Sequence, residues 1–376
     1  MRIVFRTLWL PAVVVLSSAN WVAGQSSASA PASSSSDPLE VSESYEEAIE
    51  KYGNNPVEAT RVDGPNQFSS ITLLDLNSLG LEILDPSIGS SITLPEDNLN
   101  FIVRYSPELD TALYSRLRDE GQIDEALELL RKEIYPLLKY VPLDPTEVQI
   151  HRSVSQLISE LLAAEKVAEV ASILETFPKD RLTTLFRDQT VEVAAALIED
   201  GDYNRAYDIV KLFPLGPGEV VFVPVYLNLA NEFRLREDWE RSRNLYKDVQ
   251  LASTIEAHPE AFLWEGYIHL KEDRAFMVDA ILDQFDSIST ESPYYSLLEL
   301  VKGSLLENQE KSREALSAFA KGLVYSTTND PWTPELLFRT GELYEAEDFQ
   351  SAAREVRYQL KFFYPESVWA ERLPDS

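Results

Sequence analysis

The sequence predicts an all-α chain of stacked helix hairpins, an α-solenoid of about seven units, and three observations predict it. A small residue recurs at Ala194, Ala230, Gly266, Gly303 and Gly341, at spacings of 36, 36, 37 and 38. Four further sets keep the same register. Leu197, Phe233, His269, Leu306 and Tyr344 follow by three, and Tyr203, Trp239, Ala275, Ser312 and Phe349 follow by eight or nine. Ala206, Ser242, Val278, Ala315 and Ala352 come next, and Val210, Tyr246, Leu282, Phe319 and Val356 close each unit. Third, aromatic–Pro steps at Tyr135-Pro136, Phe177-Pro178, Phe213-Pro214 and Tyr364-Pro365 stop helices at the junctions, because proline cannot continue one. Self-similarity at such a period marks a stacked array.

The chain begins with Arg2 and Arg6 flanking a short apolar core, Leu8 to Leu16, and Val22-Ala23-Gly24 precedes Gln25. Residues 1–24 read as a secretory signal peptide, since the apolar run is far below the ~20 residues that span a bilayer. The mature chain is then expected to be exported, periplasmic or secreted, without membrane insertion. Residues 25–38 are Ser/Ala/Pro-rich and read as a disordered linker. Residues 39–107 form an irregular segment, with a short helix predicted over Ser42–Lys51. Two Ile/Leu-rich stretches, Ile71–Leu84 and Ile92–Val103, are interrupted or bounded by Gly80, Pro86, Gly89 and Pro95. They read either as short strands or as irregular packing against the first repeat. The repeat array occupies 108–370 and a tail 371–376.

Within the array the spacing explains the residue types. Leu113, Leu117, Ala126, Leu130 and Ile134 sit three or four apart on either side of Glu120-Gly121-Gln122, which predicts helix, turn, helix. Leu157, Leu161, Val167, Ala171 and Leu174 repeat the pattern. Small positions let two backbones approach while aromatics fill the remaining volume. One hairpin cannot bury its apolar face, so several must stack.

Composition excludes several functions. The chain has 376 residues and no cysteine, which removes disulfides, thiol catalysis, a lipoprotein anchor and Cys-ligated metals. Lys+Arg number 33 against 63 Asp+Glu, a net charge of −30. Nucleic acid is recognised by basic surfaces, so it is not expected as a partner. The 13 glycines form no phosphate loop, and no GxSxG elbow or HExxH occurs. No catalytic residue, metal ligand or cofactor is therefore assigned. His258 and His269 stand 11 residues apart, ~16 Å along a continuous helix, too far to share an ion. Asp200, Asp202 and Asn204 mimic a calcium loop. Arg205 replaces its glycine and Lys211 its final glutamate, so they read as an inter-helix turn.

At these residues the chain resembles the tetratricopeptide repeat (TPR) proteins, whose unit is about 34 residues. Gly201-Asp202-Tyr203-Asn204-Arg205-Ala206 is similar to the family's turn and following alanine, and Lys311–Phe319 to its second helix. The last unit, Gly341–Ala352 with Tyr364-Pro365-Glu366-Ser367-Val368-Trp369-Ala370, resembles the bacterial envelope branch that includes outer-membrane assembly factors. The lipid-anchoring cysteine of that branch is missing.

The resemblance implies a non-catalytic scaffold that binds a protein or peptide in the groove of the first helices. In that register Leu227, Asn228, Asn231, Leu263, Trp264, Tyr267, Leu300, Ser304 and Arg339 face the concave surface, with Trp264 and Tyr267 an aromatic patch. Two alternatives stand beside it. One is a structural subunit of an envelope assembly or polysaccharide-export complex. The other is an envelope hydrolase using acidic residues of the N-terminal segment.

Overall fold

Seven inter-helix turns share one backbone conformation, and that conformation explains the repeat register. The computed structural model describes residues 42–374, apart from 96–98, 100, 145, 147 and 178–183. The expected signal peptide and linker lie outside the described residues. Seven hairpins follow one another: α2 (Thr111–Asp119) with α3 (Ile123–Ile134), α4 (His151–Ala163) with α5 (Val167–Glu175), and α6 (Arg187–Glu199) with α7 (Tyr203–Leu212). Then come α8 (Val223–Leu235) with α9 (Trp239–Ala252), α10 (Pro259–Lys271) with α11 (Val278–Leu282), α12 (Tyr295–Asn308) with α13 (Ser312–Tyr325), and α14 (Thr333–Ala346) with α15 (Gln350–Phe363). A last short helix, α16, spans Val368–Glu371.

Each first helix ends two residues before a left-handed residue: Gly121, Glu165, Gly201, Glu237, Asp273, Glu310 or Asp348. The next amide then donates back across the turn. Asp202 donates to the Leu197 carbonyl at 2.8 Å, Asp238 to Phe233 at 2.9 Å and Arg274 to His269 at 2.8 Å. Lys311 and Phe349 donate to Leu306 and Tyr344 in the same way. This six-to-one bond satisfies carbonyls that the helix end would orphan. The set three residues after each small position is therefore the set that accepts this bond. Asp202 also accepts from the Arg205 amide at 3.2 Å, so it caps α7.

The small positions hold the hairpins together. A Cβ at Gly303 would lie 2.3 Å from the Phe319 ring, so the ring of α13 occupies the space over a bare backbone. In the last unit the register is offset by one. Ala353, rather than Ala352, is buried, and Arg357 packs over Gly341 where other units place an apolar side chain. The unit around Gly266 departs further, since its second helix is a five-residue α11 after a 3-10 turn at Ala275–Met277.

The all-α expectation is corrected. The segment from 39 to 107 is not irregular: α1 (Glu43–Tyr52) precedes a sheet of β1 (Val57–Gly64), β2 (Gln67–Asn77), β3 (Gly80–Asp85), β4 (Ser90–Leu94) and β5 (Ile102–Arg104). With β6 (Val148–Gln149) the order is β4-β3-β2-β1-β5-β6, antiparallel except for β5 with β6. Period-two burial supplies the reason: Val57, Ala59, Ile71, Leu73, Ile83 and Val103 are buried between neighbours that are not, and Leu81 is buried beside the equally buried turn residue Gly80. The Asn77–Gly80 turn needs its glycine, at φ 129° with a Cβ position 2.0 Å from the Leu94 carbonyl oxygen.

The sheet docks on the 3-10 segment Tyr135–Tyr140, where Lys139 Nζ donates to the Leu74 carbonyl at 2.9 Å. α1 is tied down by Ser44, which donates to Glu169 at 3.1 Å. The buried Arg131 makes two bonds to that same carboxylate, at 2.8 and 2.7 Å, and Tyr135 a third at 2.7 Å.

His151, at the start of α4, is buried, donates through Nε2 to the Val141 carbonyl at 3.0 Å and has no partner at Nδ1. Burial lowers its pKa below the ordinary 6.5, against the opposing effects of that carbonyl and Asp144. Burial lowers His269 likewise, against Glu265. Between each folded pKa and 6.5 the unfolded chain binds more protons than the folded one. Stability therefore falls as pH drops through that window and levels off below the folded pKa. Urea midpoints taken between about pH 7 and pH 5 should decline less for His151→Leu than for the parent chain. An identical decline would show that His151 keeps its ordinary pKa.

Candidate binding cleft on the inner face

In a simple solenoid each repeat touches its neighbours alone. Here hairpin four reaches hairpin seven. Arg234 of α8 pairs with Glu335 of α14 at 3.2 Å, a contact spanning 101 residues, and both side chains are almost fully buried. Tyr267 of α10 donates its hydroxyl to the same carboxylate. The Arg234 guanidinium lies over the Trp264 ring, 3.6 Å from its centroid, and Trp264 meets Tyr267 edge to face at 5.4 Å. Arg372, just after α16, pairs with Glu237 in the turn between α8 and α9 at 2.8 Å, across 135 residues. The first helices thus curl until their inner faces meet, and the concave surface is partly a sealed seam.

This closure decides where the expected groove residues stand. Leu263, Trp264, Tyr267, Leu300 and Ser304 are buried, Trp264 at 2% and Tyr267 at 1% exposure. The expectation that Trp264 and Tyr267 present an open aromatic patch is corrected, because Arg234 and Glu335 cover them. Ser304 donates within its own helix to the Leu300 carbonyl. Leu227, Asn231 and Arg339 are half-buried and Asn228 is exposed. Asn231 accepts from the Tyr246 hydroxyl at 2.8 Å, which commits it to its own hairpin.

Beside the seam the structure leaves a cavity of about 240 Å³, lined by Arg234, Leu235, Glu237, Trp239, Tyr267, Lys271, Arg339, Trp369 and Arg372. Of the expected residues it gathers two, Tyr267 and Arg339. Four cations converge on it, a local reversal of sign in a chain of net charge −30. Aromatic faces support them: Lys271 Nζ sits 4.9 Å from the Tyr267 ring centroid, and Arg339 and Arg372 lie 5.8 and 4.6 Å from that of Trp369.

Lys271 is an exposed residue that lines the cavity. Loss of solvation, then the Arg339 charge, lowers its pKa, opposed by Glu335, Glu307 and Glu237. Burial likewise raises the pKa of Glu342, with Arg339 pulling the other way. Burial, followed by the Glu335 charge, raises the Tyr267 hydroxyl far above its usual range, so it stays a donor.

Arg234, Glu237, Trp239, Lys271, Glu335, Trp369 and Arg372 were not singled out from the sequence as site residues. Their signal is weak but present. Arg234 and Glu335 are the charged residues among the buried side chains of α8 and α14, and a buried charge needs a partner. Two larger cavities lie elsewhere, about 630 Å³ beside Phe68 and Phe101 and about 620 Å³ beside Tyr105 and His151. Neither gathers a comparable set of charges. Among the described residues no cluster of His, Asp and Glu could hold a metal ion, and no helix is long and apolar enough to cross a membrane.

Among solved structures the chain is similar to YrrB, described as a TPR protein with an unusual peptide-binding site. Identity is 15% and the TM-score 0.29, over 49% of this chain and 89% of that one. It is also similar to a tetratricopeptide repeat protein from Parabacteroides merdae ATCC 43184, at 14% identity and TM-score 0.36, over 69% of this chain and 94% of that one. A third likeness is to the APC/C hetero-tetramer Cut9-Hcn1, at 15% identity and TM-score 0.37. It covers 67% of this chain and about half, 49%, of that one. No family model and no curated protein matches the sequence.

Proposed function

We propose that this protein is a non-catalytic TPR-type scaffold, exported to the bacterial cell envelope, that binds a polypeptide at the inner face of its helical array. The observation that carries the reading is the cleft beside the α8–α14 seam. There, two tryptophans and four cations from three hairpins and the C-terminal helix converge on one cavity. Trp, Tyr and Arg are the residue types that dominate binding energy at interfaces, and here packing holds them in place before any partner arrives.

A photo-crosslinker placed at Lys271 in the full chain, expressed in its native host, tests it. The expected result is polypeptide adducts at 271 that are absent when the same group replaces Glu314, an exposed residue of α13. Purified chain should release no products from envelope glycan or peptide, and turnover would overturn the non-catalytic part of the reading. Removal of residues 1–24 from the protein recovered outside the cytoplasm would support export.

One observation favours a second reading, a structural subunit that makes its contacts from the outer face. Leu251, Val324 and Phe362 occupy the same register position on α9, α13 and α15 and are 67%, 77% and 63% exposed. Adducts at Val324 or Phe362 without adducts at 271 would move the conclusion to that reading.

A further inference from the structure

We propose that the open edge of the N-terminal sheet pairs with the same edge of a second copy, β4 against β4, joining two sheets into one. The proposal lies outside the helical array and uses none of its cleft residues. β4 has β3 on one side and, among the described residues, no strand on the other. Its outward backbone donors and acceptors are therefore left to water, a template for a further strand. Charge, proline or a bulge usually blunts such an edge. β4, Ser90-Ser91-Ile92-Thr93-Leu94, has no charged residue and no proline. Its pairing with β3 runs from Asp85 and Ser90 to Leu81 and Leu94 without a shift. The opposite edge is blunted by length, since β6 is two residues long and α4 begins at His151.

The side chains of β4 favour its own copy as the occupant. Ile92 and Leu94 stand opposite Ile83 and Leu81, on the buried side of the sheet. Ile83 and Leu81 are sealed, whereas Ile92 and Leu94 are only half-buried, so the apolar layer ends one strand short of cover. Ser91 and Thr93, on the other side, are exposed. A two-fold antiparallel pairing centred on Ile92 keeps the two faces matched. Ile92 then meets its counterpart, Leu94 lies across from Ser90, and Ser91 lies across from Thr93. The apolar layer continues through the junction, and no charge meets a like charge. The turns at the two ends of β3 hold the exposed Leu79 and Ile88, and the two-fold sets the Leu79 end of one copy level with the Ile88 end of the other. One effect opposes the pairing: two chains of net charge −30 repel at long range. Salt screens that repulsion.

Sedimentation of the purified full chain over a concentration series tests the proposal. A monomer–dimer equilibrium is expected, with a Kd on the order of 1–100 µM for so small a contact. Raising NaCl from about 0.05 M to about 0.5 M should tighten it at least about threefold, because the repulsion is screened while the backbone bonds are not. Ser91→Lys with Thr93→Lys puts lysine across from lysine at both pairs and should leave a monomer at every concentration. Both side chains are exposed, so the unfolding midpoint of the dilute chain should not change. Ser91→Glu with Thr93→Lys puts glutamate across from lysine and should dimerise again. A parent chain that stays monomeric, or a double-lysine variant that dimerises as the parent does, would overturn the proposal. So would a dimer that salt weakens, since that marks an ionic contact. A monomeric parent whose photo-crosslinker at Ser91 captures a different polypeptide would give the edge to a foreign strand and overturn the second copy.

Discussion

Replacing Glu335 with alanine is expected to cost about 3–5 kcal/mol of stability, far more than a surface carboxylate would. The side chain is 1% exposed and satisfies two buried groups at once, the Arg234 guanidinium and the Tyr267 hydroxyl. Removing it strands a positive charge and a donor that are 4% and 1% exposed. The cost should localise as well. Amide exchange should rise in α8, α10 and α14 together, since these three helices share the carboxylate. Removing both charges, as Arg234→Met with Glu335→Leu, should recover most of the loss, because the orphaned charge is then gone. Thermal and denaturant midpoints check both variants against Glu314→Ala, a surface control. If Glu335→Ala unfolds with the control, the α8–α14 contact does not close the array.

Trp264→Ala should lose a comparable ~3–5 kcal/mol, the range for deleting a buried tryptophan. Its ring is nearly sealed, carries the Arg234 guanidinium on one face and meets the Tyr267 edge. Any loss of partner capture in this variant would then follow from collapse of the seam. Trp264→Phe, which keeps an aromatic face beneath Arg234, should retain most of the stability and any binding in the cleft. A denaturant midpoint unchanged in Trp264→Ala would mean that the ring is free for a partner. The two tests separate a ring that supports the seam from one that meets a partner, since Trp264 lies behind the cavity and does not line it.

Much of the array was legible because its constraints are local. The carbonyls of Leu197, Phe233, His269, Leu306 and Tyr344 must be satisfied where each first helix ends, within six residues of chain. Gly303 facing Phe319 is likewise a contact inside one hairpin. The sheet was half legible. Val57-Glu58-Ala59 and Ile71–Leu73 alternate as strands do, but Gly80 and Gly89 break the apolar runs at turns. Pairing between β5 and β6 brings together Val103 and Val148, 45 residues apart, and no local pattern announces that. The burial of Trp264 and Tyr267 was not legible for the same reason. The register correctly put Trp264 and Tyr267 on first helices, yet whether that face is open depends on how far the stack curls.

The sequence by itself determined the hairpin, its turn and its repeat, because these depend on residues three to forty positions apart whose spacing is visible in the chain. The tertiary structure alone decided that the inner face closes on itself. Small rotations accumulate from hairpin to hairpin, and their sum places Arg234 against Glu335 and Arg372 against Glu237. Those pairs leave Lys271 and Arg339 facing a cavity that no single repeat encodes.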